Sequence, residues 1–156
     1  MAAKKMAIIA TKGALDMAYP PLILASTAAS LGWDVQIFFT FYGLQLLRKD
    51  LSGIEISPVG NPAMPMPVPM PVIVSVLPGM QAMATSMMKA KMKKKGVASL
   101  EELRDLCVEA DVKMIACQMT VDLFEFDKKD FIDGIEYGGA AMFMKFAGET
   151  DVCLFI

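Results

Sequence analysis

The sequence predicts an α/β fold, in which a mainly parallel sheet carries crossover helices on its faces. Short apolar runs of strand length alternate along the chain with longer segments of helical pattern, and this order is typical of parallel sheets. Apolar residues make up 55% of the 156 residues and charged residues 21%, a composition unlike that of disordered chains. A chain of this length is expected to form one domain, here residues 1–156.

The first part of the chain contains two predicted strand–helix units. The apolar run at residues 6–11 predicts a strand. A helical pattern follows over about residues 15–31, and Gly32 suits the end of this helix. The β-branched and aromatic run at residues 33–40 predicts a second strand, and residues 43–50 predict a short helix.

A segment rich in proline and methionine interrupts this pattern. Residues 56–88 contain no charged residue. The prolines at about residues 58–78 exclude a regular helix, so an extended or polyproline-type insertion is expected there. A helix is predicted over residues 79–95. It ends in five lysines before Gly96, where positive charge suits the negative end of the helix dipole.

The rest of the chain returns to alternating helices and strands. Ser99 and Glu102 have the spacing of a capping box, which predicts a helix that ends at about Ala110. The following elements are, in order, a strand at 112–117, a short helix and turn within 120–133, a helix from 138–139 to about 147 and a strand at 152–156. Residues 135–137 are too few to classify.

The composition also excludes several classes of function. The chain has no histidine, so it can form no Ser-His-Asp or Cys-His catalytic unit and no histidine-ligated zinc site. A net charge of -2 gives no indication of nucleic-acid binding. Three cysteines are too few for a secreted disulfide framework, and the first apolar run is too short for a signal peptide. A reduced, cytoplasmic setting is therefore expected.

No cofactor or metal site is expected from the motifs. Lys12 and Gly13 follow the first predicted strand, but they lack the spacing of a glycine-rich phosphate loop. Methionine thioethers can select copper(I), but no cysteine or histidine lies near the methionine-rich segment to complete such a site.

Cys117 is the residue best placed to carry chemistry. It ends the predicted strand at 112–117, and ligands of open parallel sheets bind beyond the carboxyl ends of the strands. Backbone N–H groups and the positive end of a following helix would lower the pKa of a thiol there and favour the thiolate. The alternative is a small buried side chain without reactivity, which is a common role of cysteine.

The other two cysteines are expected to differ from Cys117. Cys107 belongs to the preceding helix. From the rise per residue of helices and strands, its α-carbon is expected on the order of 12 Å or more from that of Cys117, too far for a disulfide. Cys153 lies in the apolar final strand, where packing in the core is expected.

Four segments together point to a known family. They are, in order, TKGALDMAYPPLILASTAASLG, VQIFFTFYGLQLL, GVASLEELRDLCVEADVKMIACQMTVDLF and DGIEYGGAAMFMKFAG. This set resembles the DsrE/DsrF-like family, in the stand-alone group related to sulfur-relay proteins. The resemblance is strongest around IACQMT and FFTFYGL. The insertion at about residues 58–78 is not part of the compact family core.

The resemblance implies a three-layer sandwich on a five-stranded, mainly parallel sheet, assembled into a homo-oligomer. It implies a sulfur carrier or sulfurtransferase that accepts persulfide or thiosulfonate sulfur on a cysteine and passes it on, in dissimilatory sulfur metabolism or thiolation. Cys117 matches the sulfur-accepting cysteine, and Cys107 matches a second cysteine of one subgroup. The implied partners are sulfur-donor and sulfur-acceptor proteins, such as a TusA-like carrier, a rhodanese or a heterodisulfide-reductase-like complex.

Residues 56–95 leave a second function open. Methionine is common at adaptable apolar contact surfaces, and an apolar segment followed by lysines can contact a membrane surface. The alternative is therefore a non-enzymatic, Met-rich interaction module or a membrane-contacting scaffold. Residues 72–88 are too short and too polar for a transmembrane helix.

Overall fold

The computed structural model describes residues 3–58, 63, 65, 67–68 and 71–156. The strands within these residues are β1 (Lys5–Ala10), β2 (Asp34–Phe39), β3 (Lys113–Cys117), β4 (Glu136–Gly138) and β5 (Val152–Phe155). The α-helices are α1 (Leu15–Ser30), α2 (Met80–Lys94), α3 (Leu100–Glu109), α4 (Gln118–Leu123) and α5 (Ala140–Ala147). Short 3-10 helices occur at Phe41–Leu47, Val72–Val76 and Lys128–Asp130.

These strands form one sheet, in the order β4-β3-β2-β1-β5, and every pair of neighbours is parallel. Phe39 of β2 pairs with Ala10 of β1 on one side and with Ala116 of β3 on the other. The carboxyl ends of the three central strands therefore lie side by side. Parallel neighbours require crossover connections, which the intervening segments supply. The predicted five-stranded parallel α/β fold is confirmed.

Helices cover both faces of the sheet, but unequally. Successive strand residues point to opposite faces, so each strand contributes to two cores. The larger core lies under α1 and α3 and includes Ile8, Ile37 and Met114. The smaller core lies under α5, where the rings of Phe38 and Phe143 stack with centroids 5.1 Å apart. The result is three layers, as predicted.

Helix α3 is anchored at its start and along its buried side. The predicted capping box is present, since Ser99 Oγ accepts a hydrogen bond from the Glu102 N–H at 3.1 Å and the Ser99 N–H donates to Glu102 Oε2 at 2.7 Å. Arg104 is buried and donates through Nη1 to the carbonyl oxygens of Leu46 and Arg48. Through Arg104, α3 holds the 3-10 helix that follows β2.

The segment after β2 differs from the prediction. A helix was expected over residues 43–50, whereas a 3-10 helix occupies Phe41–Leu47. The reason is a close approach to β1, because the Gly43 N–H donates to the carbonyl oxygens of Thr11 and Thr40. A Cβ atom on Gly43 would collide with the carbonyl oxygen of Ala10. The tight turn leaves no room for a regular α-helix to begin.

The predicted extended insertion at about residues 58–78 is described only in part. Residues 59–62, 64, 66, 69 and 70 lie outside the described residues, so the prediction is not tested there. The described end of the insertion contains the 3-10 helix Val72–Val76. The helix predicted over residues 79–95, with its lysine-rich end, is present as α2.

The prediction that Cys153 packs in the core is wrong. β5 is an edge strand that pairs with β1. Its residues Val152 and Leu154 pack against the larger core, whereas Cys153 is exposed and 73% of Phe155 is exposed. The alternation of side chains explains this result, because the smaller core under α5 contains described residues of β1, β2 and β3 but none of β5.

Replacing Gly43 with alanine should lower the free energy of unfolding by about 1–3 kcal/mol, the usual cost of overpacking. The added Cβ would collide with the Ala10 carbonyl oxygen. Gly53→Ala is the matched control, because a Cβ there meets no heavy atom within 4 Å. Urea unfolding followed by circular dichroism measures both variants. Equal unfolding midpoints for the two would contradict the close approach of this turn to β1.

Candidate functional site

The candidate site lies where β2 and β3 end. Cys117 is the last residue of β3, and α4 begins at the next residue, Gln118. Thr40 follows the last residue of β2, and the pairing of Phe39 with Ala116 brings it beside Cys117. The structure therefore places Cys117 at the carboxyl end of a strand and directly before a helix.

Two threonine hydroxyls lie next to Cys117, one after the end of β2 and one in α4. Thr120 is fully buried, and its Oγ1 lies 3.2 Å from Thr40 Oγ1. The Phe41 N–H donates to Thr120 Oγ1 at 3.3 Å. Register and sequence place both hydroxyls next to Cys117, because Thr40 follows Phe39, the partner of Ala116, and Thr120 lies three residues after Cys117. The thiol thus has hydroxyl groups nearby from both strand ends.

The environment of Cys117 favours the thiolate. Burial alone raises the pKa of this thiol, because a buried thiolate loses hydration. The hydrogen bonds from Thr120, Thr40 and the Met119 N–H act in the opposite direction and outweigh burial, so the pKa of Cys117 lies below its ordinary value. A low-pKa thiol is a better nucleophile at neutral pH because more of it is ionised. No histidine is needed for this activation.

Aromatic side chains hold the two strand ends together. The Phe124 ring, at the end of α4, meets the Phe41 ring edge-on at 6.3 Å and stacks on the Tyr42 ring at 6.0 Å. Contacts of 5.7 Å then lead from Phe124 to Phe126 and from Phe126 to the buried ring of Phe131. Pairs of this kind add about 0.5–1.5 kcal/mol beyond their burial. They fix the turn that carries Thr40 against the helix that carries Thr120.

Exposed apolar side chains lie on the segments next to the thiol. Cys117 keeps 5% of its surface exposed, whereas Met119, Leu123 and Tyr42 are exposed by 60%, 59% and 66%. These three side chains are called the apolar rim below. Aromatic residues and methionine are typical of protein contact surfaces, so the apolar rim has the composition of such a surface.

Cys107 lies away from this site. It is fully buried in the larger core, on the opposite face of the sheet from Cys117, and its thiol donates to the Leu22 carbonyl oxygen at 3.4 Å. Desolvation raises the pKa of Cys107 to about 11, although a hydrogen bond with the Ser26 backbone acts in the opposite direction. All three cysteines are free thiols. The structure does not bring the two predicted site cysteines together.

Thr40 and Thr120 were not identified as site residues from the sequence. One signal for Thr120 is its place three residues after Cys117, at the start of the helix. Thr40 could be found only through the pairing of β2 with β3. Within the described part of the chain, no three His, Cys, Asp or Glu residues come together as metal ligands.

A sequence profile of the DsrE/DsrF/DrsH-like family matches residues 2–155. The chain belongs to this family. The resemblance predicted from the sequence is thereby confirmed, and the bounds of the match span almost the whole chain.

Two similar proteins and one solved structure match the chain nearly end to end. The sulfur carrier protein DsrE2 of Allochromatium vinosum is 68% identical over 160 residues, which span the whole of both chains. The uncharacterized protein YrkE of Bacillus subtilis is 33% identical, covering 98% of this chain and 97% of its own. The crystal structure of the E. coli ychN protein shares the fold, with a TM-score of 0.60 at 13% identity over 98% of this chain and 99% of that one.

The buried thiol of Cys107 should make stability depend on pH in alkaline solution. An unfolded thiol ionises near its ordinary pKa of 9.0, whereas folded Cys107 keeps its proton up to a pKa of about 11. The contribution of this thiol is therefore complete below pH 9.0 and is lost as the pH rises towards 11, at about 1.4 kcal/mol per pH unit.

Urea unfolding of the wild type and Cys107→Ala at about pH 8 and about pH 10 measures this loss. The wild type should be the more stable protein at the lower pH, and its advantage should shrink at the higher pH. An advantage that stays constant would show that Cys107 is not held protonated by burial.

Proposed function

We propose that this chain is a sulfur carrier, which accepts sulfane sulfur on Cys117 and delivers it to a partner protein. The observation that carries the proposal is the Cys117 thiol at the end of β3, whose hydrogen bonds lower its pKa despite burial. Family membership supports it, as does the relative that is 68% identical, which is named a sulfur carrier protein.

The chemistry is thiol exchange in two steps. In loading, the Cys117 thiolate attacks the outer sulfur of a donor persulfide, so that a bond to Sγ forms, the donor S–S bond breaks and the donor leaves as a thiolate. In delivery, an acceptor thiolate attacks the outer sulfur on Cys117, and Sγ leaves as a thiolate. No net oxidation occurs. The hydrogen bonds to Sγ stabilise the same anion in both steps.

In this proposal Cys107 packs in the core and takes no part in sulfur exchange. The family resemblance predicted that it belongs to the site. Its full burial and its raised pKa favour a neutral thiol that packs between α3 and α1. We therefore assign the exchange to Cys117 alone in this conformation.

The proposed partners are a sulfur donor and a sulfur acceptor in a reduced, cytoplasmic setting. A TusA-like carrier, a rhodanese and a heterodisulfide-reductase-like complex are the candidates implied by the family. The apolar rim of Met119, Leu123 and Tyr42 supplies the contact surface for them.

We also propose that copies of the chain join through the exposed side of β5 around Phe155, which light scattering of the purified protein tests.

Sulfur loading is measured by mass spectrometry. Protein incubated with a low-molecular-weight persulfide donor should gain the mass of one sulfur atom on the peptide that contains Cys117. Reductant should remove it, because a persulfide is cleaved by thiols. Cys117→Ala should gain nothing at this position.

Cys153→Ser is the matched control, since Cys153 is a free, exposed thiol on the edge strand β5. This variant should load Cys117 like the wild type. Equal loading of the wild type and Cys117→Ala would exclude Cys117 as the carrier.

A second candidate function is contact with a membrane surface, favoured by exposed apolar side chains before the lysine-rich end of α2. Val72, Ile73 and Val76 are exposed by 67%, 75% and 75%, and Met87 of α2 by 66%. Five lysines follow, at 89, 91, 93, 94 and 95. Apolar side chains beside lysines suit an anionic bilayer. No helix within the described ranges is long and apolar enough to span a membrane.

Vesicle sedimentation tests this contact. The protein should bind phosphatidylglycerol vesicles more tightly than phosphatidylcholine vesicles, and less tightly as salt rises. The double variant Lys93→Gln and Lys94→Gln should weaken binding by about 2 kcal/mol, at about 1 kcal/mol per lysine.

Ile73→Ser should also weaken binding, whereas Leu31→Ser should not, although Leu31 is a similarly exposed apolar side chain at the end of α1. If the wild type and Ile73→Ser bind equally, or if neither vesicle retains the protein, this function is excluded and the sulfur-carrier proposal is unaffected.

A further inference from the structure

We propose that Thr40 and Thr120 act as a pair of positioning residues, which direct a hydroxyl proton at the Cys117 sulfur and stabilise it as an anion. This inference deepens the proposed function and rests on it. It assigns to two hydroxyls the stabilising part that a histidine plays beside many reactive cysteines.

The hydrogen-bond capacity of Thr120 supports this assignment. A hydroxyl carries one proton and two lone pairs. Thr120 is fully buried, and its oxygen accepts a hydrogen bond from the Phe41 N–H at 3.3 Å and lies 3.2 Å from Thr40 Oγ1. Either hydroxyl can donate to the other, and in both cases one hydroxyl proton of the pair is left without an acceptor within the pair. Cys117 lies beside Thr40 in the register of β2 and β3 and three residues before Thr120, so we assign the remaining proton to its sulfur.

This chain of hydrogen bonds is strongest when the sulfur is anionic. Donation from the Phe41 N–H polarises the Thr120 hydroxyl, so it becomes a better donor, either to the sulfur or to Thr40. Hydrogen bonds to an ionised acceptor are roughly twice as strong as those between neutral groups. The same donor therefore serves the thiolate that attacks in loading and the thiolate that leaves in delivery.

The backbone conformation of Phe41 directs its N–H to the Thr120 hydroxyl. Its φ of 48° lies in the left-handed region, which residues other than glycine adopt at a cost. Phe41 follows Thr40 directly, and its N–H points to Thr120 rather than continuing the ladder of β2. Residues held in this region occur at functional sites more often than elsewhere.

The charged groups on the surrounding elements have other partners or are exposed to solvent. On α4, Asp122 accepts a hydrogen bond from Gln118 at 2.7 Å, and Lys128 donates to the same Gln118 side chain at 3.0 Å. On β4, Glu136 pairs with Lys113 at 2.9 Å, at the amino end of β3. Tyr137 of β4 lies beneath Lys128, and Lys145 of α5 is exposed. Substitution of Thr40 or Thr120 therefore isolates the contribution of the hydroxyl pair to the stability of the Cys117 thiolate.

The pH profile of alkylation tests the inference. Iodoacetamide labelling of the Cys117 peptide is followed by mass spectrometry over a range of pH. In Thr120→Val, which removes the hydroxyl and keeps the shape, the midpoint should rise by about one pH unit, with about tenfold slower labelling below it. In Thr120→Ser, which restores the hydroxyl, the midpoint should return towards that of the wild type.

Thr27→Val is the matched control, because Thr27 is exposed on α1 and far along the chain from the site. A wild-type midpoint in Thr120→Val, or equal midpoints in the valine and serine variants, would overturn the inference. Should Thr120→Val fail to fold, Thr40→Val decides, since a raised midpoint supports the pair and an unchanged one overturns it. Alkylation needs no sulfur donor, so a failure of the hydroxyl pair is distinguishable from a failure of sulfur loading on Cys117.

Discussion

The contact between the hydroxyls of Thr40 and Thr120 joins the ends of β2 and β3, and the environment of Cys117 depends on it. It exists because Phe39 and Ala116 are paired in a parallel register, which brings two segments together that are 80 positions apart in sequence. Ring contacts of Phe124 hold the same two segments from outside. A shift of either segment would separate the donors from the sulfur, so the reactivity of the thiol is tied to the packing of the sheet.

The position of Cys117 could be predicted from the sequence because its signal is local. A continuous apolar run ends at the cysteine, and a new helix begins directly after it. Its hydroxyl partners could not be predicted in the same way. Thr40 comes from another strand, and periodicity does not tell which strands are neighbours. The family resemblance gave the fold and the cysteine, but the hydrogen bonds around the sulfur became visible only in three dimensions.

Whether an apolar strand residue is buried or exposed depends on the element that covers that face of the sheet. The periodicity of the sequence does not contain this information. Alternation in β5 correctly separates Val152 and Leu154 from Cys153 and Phe155, but the second pair has no helix above it among the described residues. The turn after β2 shows a similar limit. Its apolar residues favour a helix, whereas the close approach of Gly43 to β1 imposes a tighter 3-10 helix. Both errors arise from tertiary contacts rather than from local preference.

Cys107 and Cys117 lie on opposite faces of the sheet, one in each of the two cores. Many redox proteins place a second cysteine beside the first, and that neighbour discharges an oxidised or sulfur-bearing group within the same molecule. Cys107 offers no such internal route in the conformation described, because it lies in the other core. In the proposed carrier, sulfur on Cys117 would therefore not pass to Cys107, and the lifetime of the loaded state would be set by encounter with a second molecule.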